Sequence, residues 1–478
     1  MSRPESNLPA LEPRARLALA SLSLTMLMPS LDSSIANAAL PALAEVFAAS
    51  FQQVQWIVLA YLLVMTSLIA GAGRLGDQLG RRRLLLGGIV LFTLASLGCA
   101  LAPGLGWLLA GRALQGLGAA LMLALSMALV GDALPKARTG AAMGLLGSLS
   151  ALGTTLGPSL GGLLLAGGGW RWMFLVNVPL GLLALGLAWR SLPRDRRSVS
   201  VAGFDLAGTL LLALSLGAYA LALTLGERPW AVQNLGLLLV AALGGGLLMR
   251  VERRAAAPLL QPVLLRRPVL RSGLIGSLLV STVIMTTLVV GPFYLSRGLG
   301  LDPARVGLCL SLGPLVAALA GVPAGRLVDR YGARPLCRLG LLGLFAGCSL
   351  LALLPSHLGL AGYLLPIALV TAGYALFQAA NNSLVMLDAA PAQRGLTAGL
   401  LSLSRHLGLI SGVAAMGALF AWVARAPTAA GASVEAVVSG MHWTYGVAAL
   451  LTLPALAIAC SDRLSGRLDD ACRASRPS

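Results

Sequence analysis

Asp32 is the residue whose chemistry is least expected from its surroundings. It falls about 16 residues into the apolar stretch near residues 16–40, roughly 24 Å along a helix. An acid at that depth of a bilayer costs roughly 3 kcal/mol or more, and intramembrane acids mark ion or substrate paths. A carboxyl that moves between a dry environment and one facing a cation changes its hold on a proton, so it can load on one side and release on the other. The bland alternative is an Asp that caps a kink near Pro29. Ser21, Thr25, Met28 and Asp32 are spaced four, three and four apart, which puts them on one helix face.

Other polar residues interrupt later apolar runs. Arg112 and Gln115 lie about eight residues into the run near 105–129, at a depth comparable with Asp32. The spacing predicts that Asp32 and Arg112 pair across a central cavity, either as a coupled proton site or as a static salt bridge that helps assembly. Tyr374, Gln378, Asn381 and Asn382 share a helix face, fitting substrate contact or interhelical hydrogen bonds equally well. Arg405 and His406 stand near mid-membrane with Ser402 one turn before. Histidine titrates near neutral pH, which makes His406 a second proton-site candidate, although a lone His more often bonds a neighbouring helix. Gly153, Gly157 and Gly161 recur every fourth residue, so one stripe lacks side chains and a neighbour can approach closely; Pro158 bends the helix. A dry seam of that kind also blocks proton leak.

These residues need a membrane around them. Of 478 residues, 57% are hydrophobic and only 11% charged, and the mean hydropathy is +0.85. So few charges cannot clothe a globule in a hydrated surface, whereas a bilayer removes the need. At roughly 20 residues per span, apolar runs lie near 16–40, 52–72, 84–102, 105–129, 140–166, 171–190, 204–225, 234–250, 272–296, 304–325, 336–354, 361–385, 395–420 and 442–460. Glu227, Arg228 and Pro229 are the only firm break between the seventh and eighth. The last outer loop covers about 421–441.

The net charge of +18 follows topology. Arginines gather in alternate loops: Arg81, Arg82 and Arg83; Arg194, Arg196 and Arg197; Arg253, Arg254, Arg266 and Arg267; Arg326, Arg330 and Arg334. The other loops hold isolated cases such as Arg228, Arg305 and Arg425. The positive-inside rule then puts both termini in the cytoplasm and requires an even number of spans. The clusters lack aromatic interleaving, which argues against nucleic acid. Six scattered cysteines (Cys99, Cys309, Cys337, Cys348, Cys460, Cys472) show no metal-ligand spacing, and His357, His406 and His442 stand apart, so no metal, cofactor or enzymatic cluster is expected. The first 20 residues lack a cleavable apolar core and read as retained.

One repeat divides the chain. Gly73-Arg74-Leu75-Gly76-Asp77-Gln78-Leu79-Gly80-Arg81-Arg82-Arg83 matches Gly325-Arg326-Leu327-Val328-Asp329-Arg330-Tyr331-Gly332-Ala333-Arg334 in the pattern Gly-Arg-Leu-x-Asp-x-x-Gly. Parallel repeats of six helices would place these loops at corresponding positions, with two extra spans between the halves. Their glycines permit tight turns, and Asp77 at a helix end can cap amides or pair with arginine. Gly73, Asp77, Gly80, Arg81, Arg82, Gly325, Asp329 and Arg330 read as state-dependent latches.

These residues resemble the major facilitator superfamily, in particular its fourteen-span drug:proton antiporter branch. The repeated loop is similar to the superfamily signature, departing from it at Gln78, where a basic residue is usual. The stretch from Gly153 to Gly162 resembles the antiporter motif, with Gly153, Gly157, Pro158, Gly161 and Gly162 in place. Leu31 to Pro41 and Trp170 to Gly181 are similar to motifs of the fourteen-span branch. The Arg-x-x-Gln-Gly pattern at Arg112 implies that this arginine modulates the protonation of Asp32.

The expected fold is therefore an all-α polytopic membrane protein of about fourteen helices: one six-helix bundle over 1–200, two inserted helices over 201–260 and a second bundle over 261–478. The expected function is proton-coupled efflux of hydrophobic drug-like compounds, cationic ones among them, across the cytoplasmic membrane by alternating access. The alternative is a narrow exporter of one metabolite or antibiotic. Asp32, Arg112 and His406 are the proton-coupling candidates; Thr25, Met28, Gln115, Tyr374, Gln378, Asn381 and Arg405 are expected in the substrate cavity. The partners are the substrate, protons and the bilayer; nothing indicates a periplasmic adaptor.

Overall fold

The structure is a computed structural model that describes residues 12–134, 136–195, 205–225, 232–252, 267–353, 355, 358–390, 394–424 and 433–461. The expected domain boundaries at 200 and 260 lie outside the described residues, as do Arg196, Arg197, Glu227, Arg228, Pro229, Arg253, Arg254, Arg266, His357, Arg425 and Cys472.

The first half comprises α1 (Pro13–Ala38), α2 (Leu40–Val46), α3 (Phe51–Leu79), α4 (Arg81–Ala100), α5 (Leu105–Ala133), α6 (Lys136–Gly168), α7 (Trp170–Leu175) and α8 (Asn177–Ser191). Next come α9 (Leu206–Thr224) and α10 (Val232–Glu252). The second half comprises α11 (Pro268–Phe293), α12 (Pro303–Tyr331), α13 (Ala333–Leu353), α14 (Gly359–Asp388), α15 (Arg394–Ser411), α16 (Gly417–Ala424) and α17 (Val434–Cys460). Short π-helical turns continue α11 over Tyr294–Gly298 and join α15 to α16 over Gly412–Met416.

Among the described residues, thirteen helices are long and apolar enough to cross a membrane. The first apolar run forms α1, whose 26 residues extend over roughly 39 Å, long enough to cross a bilayer though less apolar than the thirteen. Asp32, Asn37 and several serines lower its apolarity, yet most of these are buried against other helices. The polarity belongs to the bundle interior and is hidden from lipid.

Helix ends follow local chemistry. Ser50 caps α3 in a reciprocal box with Gln53, each side chain bonding the other's backbone N–H at 3.2 and 2.8 Å. Asp205, Asp302 and Ser433 accept from the third residue beyond them at the starts of α9, α12 and α17. The repeated signature, expected as a loop, is mostly helix. Its residues form the last turns of α3 and α12, and only Gly80 (φ 102°) and Gly332 (φ 85°) leave the helix, in a backbone region that other residues avoid. The last outer segment is also shorter than expected, because α17 begins at Val434.

Both halves use the same close pairing. A Cβ on Gly118 would stand 2.8 Å from the Phe92 amide nitrogen, so α5 lies directly on α4. In the second half, a Cβ on Gly340 would stand 2.6 Å from the Phe377 nitrogen, and α13 lies on α14. The α9–α10 pair rests against α3 and the π turn after α15. Trp56 Nε1 donates to Thr224 Oγ1 at 3.1 Å, and Tyr219 OH donates to Ser411 Oγ at 3.0 Å, so α9 touches both halves.

Candidate functional site

A buried ion pair lies within the first half. Arg112 of α5 pairs through Nη1 with Asp32 of α1, and their side chains are 0% and 1% exposed. The guanidinium is fixed on its other edges. Nε donates to the Ile57 carbonyl at 2.9 Å, Nη1 also donates to Gln115 Oε1 at 2.8 Å, and the Tyr61 ring covers the carbon at 4.5 Å. Asp32 Oδ1 accepts from Asn177 Nδ2 at 2.7 Å and from Gln115 Nε2 at 3.2 Å. Gln115 Nε2 also donates to Ser96 Oγ at 2.7 Å. Every group facing the carboxylate is a donor. Helices α1, α5 and α8 meet at this one acid, and α4 joins the network through Ser96.

Desolvating two charges consumes most of their attraction, so the pair contributes little net stability; removing one partner strands the other. Arg112 Nη2 makes no hydrogen bond although it is buried. Asn177, Ser96 and Tyr61 had no role in the sequence reading. Asn177 sat inside the Trp170–Gly181 motif, where its type and depth were the available signal.

A cavity of about 550 Å³ lies between the halves, bounded by α1, α3, α5, α6, α11, α12, α14 and α15. Tyr374, Arg405 and His406 line it, the last with Nδ1 2.8 Å from the Ser402 carbonyl oxygen. Thr25, Met28 and Gln115 do not. The Ser21–Thr25–Met28–Asp32 face turns into the first half, where Ser21 Oγ donates to the Ala184 carbonyl at 3.2 Å and Thr25 Oγ1 meets Ser126 Oγ at 2.6 Å. The cavity takes the other face of α1, with Met26, Pro29, Ser30 and Ser33. Asp32 and Arg112 thus do not pair across the cavity but beside it, behind Tyr61, whose hydroxyl donates to the Pro29 carbonyl at 3.3 Å. Gln378 and Asn381 also lie outside the lining. Asn381 Nδ2 donates to the Gly273 carbonyl at 3.1 Å and ties α14 to α11. Spacing fixed their face but not their depth, and seven residues along a helix is about 10 Å.

The glycines at every fourth position of α6 face α1 directly. A Cβ on Gly153 would stand 2.7 Å from the Leu27 carbonyl oxygen, and one on Gly161 would stand 3.3 Å from Ile35 Cα. Gly157 likewise abuts Leu31 and Ser34. The glycine stripe therefore presses against the helix that holds Asp32. Gly162, on another side of α6, meets Gly307 of α12, where its Cβ would stand 3.1 Å from Gly307 Cα. Pro158 lies inside α6, and its carbonyl faces Gly307 as well.

Contacts between the halves gather at the end of the bundle away from the amino terminus. Phe51 of α3 stands 4.5 Å from Phe293 and 4.9 Å from Phe420, centroid to centroid. Glu45 pairs with Arg297, Ser159 Oγ bonds Ser311 Oγ, and Ser159 N donates to Ser311 Oγ at 3.0 Å. This end is sealed.

At the opposite end the repeated signatures differ. Arg81 bridges Asp77 at 2.8 Å and Asp132 at 2.9 Å. Asp195, just beyond α8, accepts from Arg82 N at 2.8 Å and Arg83 N at 3.1 Å, capping α4 from a distance in sequence. Arg82 Nη2 donates to the Trp189 carbonyl at 2.6 Å, with its guanidinium over the indole. Gly73 and Gly325 have open space beside them. Among the described residues Asp329 forms no ion pair, and Arg330 stacks on Tyr331 at 5.3 Å. The sequence reading missed Asp132 and Asp195, whose partners are distant in the chain.

Comparison with known proteins agrees with this architecture. The family model described as Major Facilitator Superfamily matches residues 22–413. The uncharacterized transporter YebQ of Escherichia coli is 34% identical, over 81% of this chain and 85% of its own length. The multidrug resistance protein Stp of Mycobacterium tuberculosis is 35% identical, over 85% of this chain and 76% of its own. The riboflavin transporter RibZ of Clostridioides difficile is 30% identical, over 82% and 86%. Among solved structures, a bacterial homolog of the human lysosomal transporter Spinster, in an inward-facing unoccupied conformation, superposes with a TM-score of 0.69 at 14% identity, covering 94% of this chain and 97% of that one.

Proposed function

The chain belongs to the Major Facilitator Superfamily and is an integral membrane transporter, and from that premise we propose that it exports small apolar compounds from the cytoplasm in exchange for protons. The observation that carries the reading is the placement of Asp32 and Arg112 beside the cavity, screened from it by Tyr61 and Pro29. A proton site and a substrate site that share one wall can communicate through that wall without sharing a ligand.

The positive-inside charge pattern supports cytoplasmic termini; in that orientation the closed end faces outward and the cavity is loaded from the cytoplasmic side. Substrate enters among the methionines and aromatic rings of the cavity, a surface suited to broad recognition. The halves then rock about the α6–α12 seam, the Phe51–Phe293–Phe420 seal parts, and substrate leaves. A proton from outside neutralises Asp32 and frees Arg112. The α1–α5–α8 tie loosens, and the return swing lets Arg112 displace the proton into the cytoplasm. Each charge moved inward across 100 mV gains roughly 2.3 kcal/mol. The dry contact of α6 with α1 keeps protons from leaking, and the Asp77–Arg81–Asp132 bridge acts as a latch for one conformational state. His406, at the cavity wall, serves in this scheme as a hydrogen-bonding group held by the Ser402 carbonyl. The membrane is the cytoplasmic one.

Relatives named for multidrug resistance support a broad substrate range. The relative named as a riboflavin transporter supports a second reading, a narrow exporter of one metabolite. Inside-out vesicles with an acid interior test the proposal, using ethidium, N-phenyl-1-naphthylamine and 1-anilinonaphthalene-8-sulfonate as cationic, neutral and anionic probes. Accumulation of at least one probe, abolished when nigericin collapses the pH gradient, is expected. Accumulation that ignores the gradient contradicts proton coupling, and accumulation of none of the three probes would favour the narrow exporter.

A further inference from the structure

The charge of the cavity points to a substrate class. None of its lining residues is Asp, Glu or Lys; the one permanently charged side chain is Arg405 of α15. Among the described residues Arg405 makes no hydrogen bond or ion pair. Arg112 differs in both respects, because it is screened from the cavity and neutralised by Asp32. The ion pair behind Tyr61 adds no net charge, so the cavity carries the charge of Arg405 alone.

A guanidinium inside a membrane protein is costly unless something pairs with it. Low-dielectric walls focus its field over the whole cavity, which attracts anions and repels cations. Met26, Met65, Met127 and Met285 form soft apolar walls that adapt to different ring systems. Tyr374 and His406, within the same lining, add hydrogen-bonding groups beside the charge.

We infer that the cavity selects apolar compounds bearing a negative charge, such as hydrophobic carboxylates and sulfonates, with Arg405 as their counter-ion. The cationic compounds admitted by the sequence reading are disfavoured, because Asp32 is occupied by Arg112 and faces away from the cavity. The inference rests on the central cavity being the substrate site of the exporter proposed above. An anion leaving while a proton enters moves charge in the same electrical sense twice, so both fluxes draw on an inside-negative potential.

Tetraphenylborate and tetraphenylphosphonium match in size and shape and differ in the sign of their charge. Calorimetric titration of the purified protein in detergent, with no gradient present, measures both affinities. The wild type is expected to bind the borate at least about tenfold more tightly, a difference of roughly 1.4 kcal/mol. Arg405→Lys should keep the preference, Arg405→Ala should bring the two ions to near parity, and Arg405→Glu should reverse the order. Equal or tighter phosphonium binding by the wild type overturns the inference, and that ratio decides even where a variant fails to fold. So does an unchanged preference in a folded Arg405→Ala protein. If the borate preference holds while no probe accumulates in vesicles, the export reading fails and the charge selectivity stands.

Discussion

In the first half α4 lies on α5 through Gly118, and in the second half α13 lies on α14 through Gly340 and Gly373, with the same near-contact of backbone on backbone. The chemistry built on this shared scaffold diverges. The first half encloses a carboxylate, a guanidinium and two amides in one network, and bridges its end opposite the aromatic cluster with Asp77, Arg81 and Asp132. The second half buries hydroxyls such as Ser281, Thr282 and Thr286 in α11 and presents Arg405 and His406 to the cavity. Asp329, the repeat counterpart of Asp77, forms no ion pair among the described residues. A duplicated packing plan thus leaves each half free to specialise. In our account the first half handles the proton and the second half supplies the charge that selects the substrate.

The sharpest way to break this comparison is to remove the guanidinium of the first half. Arg112→Ala leaves Asp32 buried without its cation and should cost about 3–5 kcal/mol, along with all pH-driven transport. His406→Ala in the second half loses one bond to the Ser402 carbonyl and should cost no more than about 1.5 kcal/mol. Thermal unfolding of both variants in detergent checks the contrast; equal losses would erase it. Gly162→Leu comes next, since a side chain there meets Gly307 and overpacks the seam between the halves by about 1–3 kcal/mol. The sealed end should then open more often, read as faster labelling of a Phe51→Cys reporter by an impermeant maleimide. Unchanged labelling would mean that the α6–α12 contact does not hold the seal.

Smaller effects sharpen the difference between the repeated signatures. Asp195→Ala removes the cap on α4 and should cost about 1 kcal/mol. Amide exchange should rise at Arg82 and Arg83 while the start of α13 stays as it was. Trp56→Phe deletes the bond to Thr224 and should cost about 0.5–1.5 kcal/mol. If it costs nothing in unfolding experiments, the inserted helices are not fastened to α3 by that bond.

Much of this arrangement was legible in the chain. Apolar runs located the membrane helices, and the depth of Asp32 and Arg112 was enough to bring them together. Their surroundings were harder to read. Ser21, Thr25, Met28 and Asp32 do share a face, but periodicity cannot say whether a polar face turns to a cavity or to a neighbouring helix. Here α5 and α8 carry Ser126 and Asn177, which accept it inside the bundle. The same limit applied to Asn381, which shares a face with Tyr374 but lies farther along α14, bonded to α11. Asp132 and Asp195 escaped notice because each acts on an arginine or an amide far away in the chain. A long-range pair leaves no local pattern.

The central claim is that Asp32 carries the proton while the substrate sits elsewhere. The most direct measurement compares Asp32→Asn with the wild type in proteoliposomes, using whichever probe the wild type accumulates. Two quantities are read: uphill accumulation under a pH gradient, and exchange of internal for external probe with no gradient. The account predicts that Asp32→Asn loses the first and keeps the second. Accumulation at the wild-type level, or loss of exchange in a protein that still folds, would contradict it.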